Sequence, residues 1–491
     1  MENLTRRKFL HLVAGGTVAT SIPFSGCHNV WNRDKKTEKK QPNIIFLLTD
    51  DQRWDAMGCA GNSIVQTPNM DNLAGNGVHF TNAFVTSSIC AASRASIFTG
   101  MYERKHGCNF NTGFLSPSLF AKSYPVLLRK AGYQTGFIGK FGVIISDEKS
   151  ADPHRVWATN KQVPAEQFDF CYGFGGQGSF FPHGRQGKHL TQIMADQAVD
   201  FLNSCSDNKP FCLSISFKAP HAPFTPDAAY DSLYNDVTIP VPATATWKHF
   251  EKLPEFIKKG NAHADGHGYW KRRYRTPELY QDTMKKYYRL VTGVDFAIKR
   301  IREELKKLNL DDNTVIILLG DNGDLHSEHM LGGKELLYEE SLRVPLIIYD
   351  PRLAKPLRGQ KKQEMALNID MAPTMLSLAG VHVPDCMQGR NLVPILHGEK
   401  IGWRKDFFCE NLFRFRWDGP GRQDYPLCEG IRTKRWKYIR YSDQKPVYEE
   451  LFDLKNDPHE TDCLAKHEKY QQTLKSLRKR CSQSLQKAKG K

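Results

Sequence analysis

The chain predicts an α/β fold: a large, mostly parallel sheet flanked by helices, with a smaller C-terminal antiparallel sheet and one helix beside it. Three observations carry that expectation. Unbroken apolar runs recur at 43–51, 133–140, 210–217, 314–322 and 343–350, as strands covered on both faces require. Longer segments with helical periodicity lie between them, among them 190–204 and 279–308, and strands alternating with helices build parallel sheets. Past residue 400 the texture changes to short aromatic and β-branched runs separated by turns.

Taken in order, residues 1–27 read MENLTRRKFLHLVAGGTVATSIPFSGC, with a twin arginine (Arg6, Arg7), an apolar small-residue segment and a cysteine after Ser-Gly. This is an export signal, too short and glycine-rich for a membrane span. TRRKFL resembles the twin-arginine signals that send folded bacterial proteins across the membrane, which implies a periplasmic or cell-envelope location. Cys27 in FSGC resembles a lipidation box with Phe24 where leucine is usual, so lipid anchoring and simple cleavage both stay open. Residues 28–41 form a charged linker, and 42–398 the main domain.

NIIFLLTDD opens that domain as a strand ending on Asp50-Asp51, and TVIILLGDN later ends on Asp321-Asn322. Ligands of open α/β sheets collect beyond the carboxyl ends of the strands. Residues 399–491 form the smaller subdomain: WRKDFFCE, EGIRTKRWKYIRY and EELFDLKNDPHE as strands, then a basic amphipathic helix near 464–485 and a basic tail. No internal repeat is visible.

The chain has 491 residues, enough for a large core, and a formal charge of +16. That charge suggests an anionic partner, yet no nucleic-acid recognition motif accompanies it. Its 12 cysteines contain no CxxC, which excludes a zinc framework and a dense disulfide scaffold. Cys205 and Cys212 could pair after export, although unpaired burial suits both.

Asp50, Asp51, Asp321 and Asn322 offer hard oxygen ligands at two strand ends, suited to Ca²⁺ or Mg²⁺. Each pair alone could be a turn or a helix cap. Together the carboxylates repel unless a cation sits among them. Cys90 lies in TSSICAASRASIFTG, beside Arg94 at a helix start; by itself it could be a small buried hydrophobe.

C-A-A-S-R followed by Ile-Phe-Thr-Gly resembles the signature of the type I sulfatases, C-x-P-S-R with a following Leu-Thr-Gly, Ala92 standing for proline. Further stretches similar to that family follow in the same order: TDDQ (49–52), TPNMDNLAGNGVHFTNAF (67–84), GYQTGFIGK (132–140), APHAPF (219–224), the run 318–351, and RTKRWKYIRY with ELFDLKNDPHE. The resemblance spans about 42 to 464 and implies an alkaline-phosphatase-like fold and hydrolysis of sulfate monoesters. It implies that a formylglycine-generating or anaerobic sulfatase-maturating enzyme converts Cys90 to formylglycine (3-oxoalanine), whose hydrated aldehyde serves as nucleophile. Asp50, Asp51, Asp321, Asn322 and an oxygen of residue 90 would hold Ca²⁺, with Mg²⁺ as the alternative. Arg94 would hold the cation-bound diol, Lys140 and Lys334 would clamp the sulfate, and His221 would stand near the leaving oxygen as general acid. Outside the resemblance, the two lysines and His221 read as solvated or loop residues.

One departure stands out. The family has GK-x-H, whose histidine helps expel sulfate, whereas this chain reads GKFG with Gly142 in that place. His326 and His329 could compensate, or could be surface residues. The polar, aromatic-containing stretches 153–189 and 261–275 are expected to line a pocket or to be plain loops, and a sulfated carbohydrate is the expected substrate. Membrane contact is expected only through Cys27. A phosphodiester or phosphonate monoester hydrolase of the same superfamily, and a sulfated-glycan-binding pseudoenzyme, are the alternatives.

Overall fold

The computed structural model describes residues 41–490 apart from 112, 149–161, 185–186, 207, 261, 264–268 and 415–424. The expected export signal, Cys27 and the linker through residue 40 lie outside the described residues, as do parts of both polar stretches.

The main sheet has eight strands: β1 (Asn43–Asp50), β2 (Val78–Phe80), β3 (Gln134–Lys140), β4 (Phe170–Phe174), β5 (Phe211–Pro220), β6 (Thr314–Gly320), β7 (Leu346–Tyr349) and β8 (Gln360–Lys362). Their spatial order is β8-β2-β7-β6-β1-β5-β3-β4. Within this sheet β7 runs antiparallel to both neighbours, and the other pairings are parallel. β1 lies between β5 and β6, and each of its residues is buried. That central place explains its unbroken apolar run.

Strands β2, β4 and β8 escape the apolar-run criterion. β2 and β8 have three residues each, and β4 (FCYGF) is a partly exposed edge strand inside the stretch 153–189.

The five longest helices among the described residues are α1 (Pro68–Asn76), α2 (Cys90–Thr99), α3 (Leu190–Ser204), α4 (Pro277–Lys307) and α5 (Gln471–Ala488). α4 opens on Pro277 with Thr276 as its cap, the hydroxyl accepting from the Leu279 amide at 3.3 Å. Tyr280, Met284, Tyr287, Val291, Val294 and Ile298 are buried on it at alternating steps of three and four, the stripe of a helix laid on a sheet. α5 begins at Gln471 rather than near 464.

The C-terminal sheet is an antiparallel meander of β9 (Asp406–Asn411), β10 (Cys428–Thr433), β11 (Trp436–Tyr441) and β12 (Tyr448–Asp453). Its period-two alternation gives it two apolar faces. Phe408, Ile431, Tyr438 and Leu451 pack on Leu474, Leu477 and Cys481 of α5. Phe407, Cys409, Ile439 and Phe452 join the main core. The fully buried Lys437 ties this sheet down, its ammonium 3.0 Å from Glu339 and 2.7 Å from Glu460. All cysteines of the described residues are unpaired, Cys205 and Cys212 included. Among the described residues no helix is long and apolar enough to cross a membrane.

Candidate active site

The parallel strands β1, β3, β5 and β6 deliver their carboxyl ends to one edge. Asp50 closes β1 and Asp51 follows it, Lys140 closes β3, Lys218 and His221 lie at the end of β5, and Asp321 and Asn322 follow β6. Facing them is Cys90, the first residue of α2, with extended Ile89 as its cap and Gly100 closing the far end at φ 66°. Every residue of α2 is buried. Phe98 anchors it, ring against ring with Phe120, Tyr124, Phe137 and Phe141, so residue 90 is carried on a rigid element.

The sequence expected nine residues here, and the structure brings them together. Lys140 Nζ donates to Asp50 Oδ2 at 2.5 Å and to Gln177 Oε1 at 2.8 Å. Lys334 Nζ donates to Asp51 Oδ1 and, at 2.8 Å, to Cys90 Sγ. Asn322 Nδ2 donates to Asp51 Oδ1 at 2.6 Å. His221 Nε2 lies 3.6 Å from Asp51 Oδ2. Asp51 has φ 63°, a left-handed conformation that costs a non-glycine residue about 1 kcal/mol. It turns the Asp51 amide onto Asp321 Oδ1 at 3.1 Å and leaves its carboxylate facing the centre.

Arg94 sits lower than expected. Its guanidinium bonds Asp321 Oδ2 at 2.9 Å, the Lys140 carbonyl at 2.9 Å and Ser216 Oγ, and lies 3.5 Å from Asp50. It therefore orients the carboxylates beside residue 90, and none of these hydrogen bonds goes to residue 90 itself.

Burial alone would raise the Asp50 and Asp51 carboxyls, yet Lys140 beside the first and Lys334 beside the second, with His221 near both, hold them below the usual range. Asp321 is pushed up by burial and by Asp50, against Arg94. Burial pushes the Cys90 thiol up to about 12 despite Lys140 and Lys334, which leaves an unmodified sulfur protonated and weakly nucleophilic. His221 was expected as a protonated acid. Burial instead pushes its imidazole down to about 4 against Asp51 and Asp50. Its Nδ1 lies 2.5 Å from the Ala222 carbonyl; an oxygen there must accept, so Nδ1 carries the proton and the neutral ring presents a bare Nε2 towards Asp51.

A hard divalent cation fits this donor set. Asp50 Oδ1 and Asn322 Oδ1 are buried without a hydrogen-bond partner, and one donor atom each of Asp50, Asp51, Cys90 and His221 fall within 4.8 Å of one another. His221 joins that tight group. Asp321, expected there, accepts one hydrogen bond on each oxygen, from the Asp51 amide and from Arg94, and each oxygen keeps a further lone pair for a cation.

Residues 42–381 match the sulfatase family model, and residues 327–487 match the model described as N-sulphoglucosamine sulphohydrolase, C-terminal. The chain belongs to the sulfatase family. It is 29% identical to the N-acetylglucosamine-6-O-sulfatase of Bacteroides thetaiotaomicron, over 93% of this chain and 88% of the relative. It is 27% identical to the human N-acetylglucosamine-6-sulfatase, over 93% and 86%. A solved structure of a protein in complex with its substrate D-glucosamine-2-N,6-O-disulfate superimposes with a TM-score of 0.73 at 27% identity, covering 92% of this chain and 99% of that one. A phosphonate monoester hydrolase of Agrobacterium radiobacter, at 22% identity and a TM-score of 0.74, shares the fold. This sulfatase is accordingly a sulfuric ester hydrolase.

Sequence reasoning missed several residues of the sulfatase site. Lys218 stands three positions before His221 and reads there as one more strand lysine. Gln177 and Phe180 come from the described part of the 153–189 stretch, Gln177 accepting from Lys140. From 261–275 come Tyr269, packed on Gly333 next to Lys334, and Arg273, whose guanidinium lies 4.6 Å from the Tyr269 ring and 5.0 Å from the Phe224 ring, with Asp324 at 4.0 Å. The two stretches thus reach the site, and an aromatic density inside a polar loop was the available signal.

His326 and His329, expected to compensate for Gly142 or to be surface residues, do not lie on the surface. Both are buried, His326 packed edge-on against Tyr287 and His329 stacked on Tyr338, and neither bonds a residue of the catalytic cluster. Gly142 itself has φ 67°, and a Cβ there would meet Arg94 Cδ at 2.6 Å. The Arg94 stem fills the space a side chain would need. Gly142→His should therefore lower stability by about 2 kcal/mol or more through strain and overpacking, and lower activity by displacing Arg94. Thermal melting and steady-state rates check this; a stable, faster variant would contradict it.

Proposed function

We propose that this sulfatase is exported and hydrolyses O-sulfate monoesters on a sulfated carbohydrate of the glucosamine type, using a formylglycine made from Cys90 and a bound Ca²⁺. The observation that carries the reading is the convergence of Cys90, three carboxylates, Asn322 and two lysines at one sheet edge. The two N-acetylglucosamine-6-sulfatases and the glucosamine disulfate complex support the sugar. The twin-arginine segment 1–27 supports export, with Cys27 the point of any lipid anchor and a sulfatase-maturating enzyme as the partner that modifies Cys90. Residues 42–398 would form the catalytic domain and 399–491 the smaller subdomain.

Cys90 Sγ marks where the hydroxyls of the modified side chain would lie. Asp50, Asp51, Asp321 and Asn322 would hold the cation, which supplies charge to polarise the sulfuryl oxygens and to ease deprotonation of the nucleophile. Lys334, touching both Asp51 and residue 90, steadies the nucleophile and meets the incoming anion. Lys140 meets that anion from the β3 side. Arg94 fixes Asp321 and Asp50 in register. His221 stands where it can protonate the leaving oxygen once a bound sulfate monoanion raises its affinity for a proton. Burial of the cluster keeps competing water away and strengthens each of these charge contacts.

The test is release of inorganic sulfate from 6-O-sulfated N-acetylglucosamine and from other sulfated sugars, by protein made together with its maturating enzyme. Mass analysis of the peptide holding residue 90 accompanies it. Sulfate release by protein whose residue 90 is still a thiol would overturn the mechanism, and no release from any sulfated sugar would overturn the substrate class.

A further inference from the structure

The site's other two lysines are already paired with carboxylates: Lys140 with Asp50 and Lys334 with Asp51. Lys218 differs. Among the described residues no carboxylate pairs with it, and the bond described for its ammonium is a long one, 3.4 Å to the Ala222 carbonyl. It is 2% exposed, with Nζ 4.9 Å from the Phe180 ring centroid. Burial, with Lys140 next, pushes its pKa down to about 8 against the pull of Asp50, Asp51 and Cys90. A cation held dry without a counter-ion is expensive and is expected where an anion arrives.

Its placement says which anion. β5 runs between β1 and β3, with Asp50 paired to Pro220 and Gly139 to Ser216. Lys218 is therefore flanked by the strand ends that carry Asp50 and Lys140. Its ammonium shares the Ala222 carbonyl with the His221 imidazole, whose other nitrogen faces Asp51.

We propose that Lys218 is a third cationic contact for the sulfuryl group, binding the oxyanion from the β5 side between Lys140 and His221. This rests on the sulfatase reading of the same site. The bound sulfate supplies the counter-charge that Lys218 lacks, and the Phe180 ring face steadies the ammonium.

Two readouts test the proposal on the full-length protein, with inorganic sulfate as the probe. Lys218→Met keeps the apolar stem and removes the charge. Sulfate affinity, measured by calorimetry and as product inhibition, should fall about 10- to 100-fold, the scale of one buried charge-assisted hydrogen bond. The melting temperature without sulfate should hold or rise, because an unpaired buried charge has gone. Lys218→Arg should keep most of the sulfate affinity. Unchanged affinity in Lys218→Met overturns the proposal, and so does a lowered melting temperature in both variants, which would mark a structural lysine. Failure of the wild-type protein to bind sulfate or cleave any sulfate ester would instead sink the sulfatase mechanism, so the two failures are distinguishable.

Discussion

Cys90→Ala should abolish sulfate release, with turnover expected to fall by about 10⁴-fold or more, the scale of losing a covalent nucleophile. The fold should survive. Residue 90 lies at the first position of α2, and the helix is held by the Phe98 ring cluster and by Gly100 rather than by the thiol. Lys334 keeps Asp51 as a partner when the sulfur goes. The expected signature is an unchanged melting temperature, to within a few degrees, with sulfate release at background. Residual turnover near wild type would place the nucleophile elsewhere, and loss of the folded protein would show that Cys90 is part of the core. Cys90→Ser should behave as the alanine variant does when the maturating enzyme accepts cysteine alone.

Removal of divalent metal is the second large effect. A chelator should lower turnover by about 10²- to 10⁴-fold, corresponding to the several kcal/mol a cation contributes to charge stabilisation. Added Ca²⁺ should restore it. The melting temperature should drop together with activity, since a ligand that binds the folded state at about 100 times its Kd stabilises by about 2.7 kcal/mol. The drop stays short of unfolding because Lys140 and Lys334 already neutralise Asp50 and Asp51. Unchanged rates and melting after verified metal loss would remove the cation from the mechanism.

Much of this architecture can be read from adjacent residues. The run NIIFLLTDD declares a central parallel strand because both of its faces must be apolar, and β1 is that strand. The 3.6-residue period located α3 and α4 to within two residues. β4 was hidden because an edge strand with one open face needs no apolar run, and β2 and β8 because three residues carry no period.

The same division holds at the site. Asp50, Asp51, Cys90, Arg94, Asp321, Asn322 and Lys334 sit in short contiguous motifs whose order is preserved, and such motifs are properties of neighbours in sequence. The roles inside the cluster are properties of neighbours in space. Arg94 bends under the carboxylates because Ser216 and the Lys140 carbonyl, on two other strands, accept from it. His326 and His329 turn into aromatic packing, and Asp50, Asp51 and Asp321 are paired with Lys140, Lys334 and Arg94 rather than with Lys218.

The sequence by itself determined the kind of sheet, the family and the set of reactive groups, because periodicity and short motifs are encoded by residues next to one another. Only the tertiary structure decided which of the site's three lysines has no paired carboxylate among the described residues, why position 142 has no room for a side chain, and which nitrogen of His221 holds the proton. Those outcomes depend on burial and on which distant strand ends meet, and a cation's partner or a ring's pKa is set by what surrounds it in three dimensions.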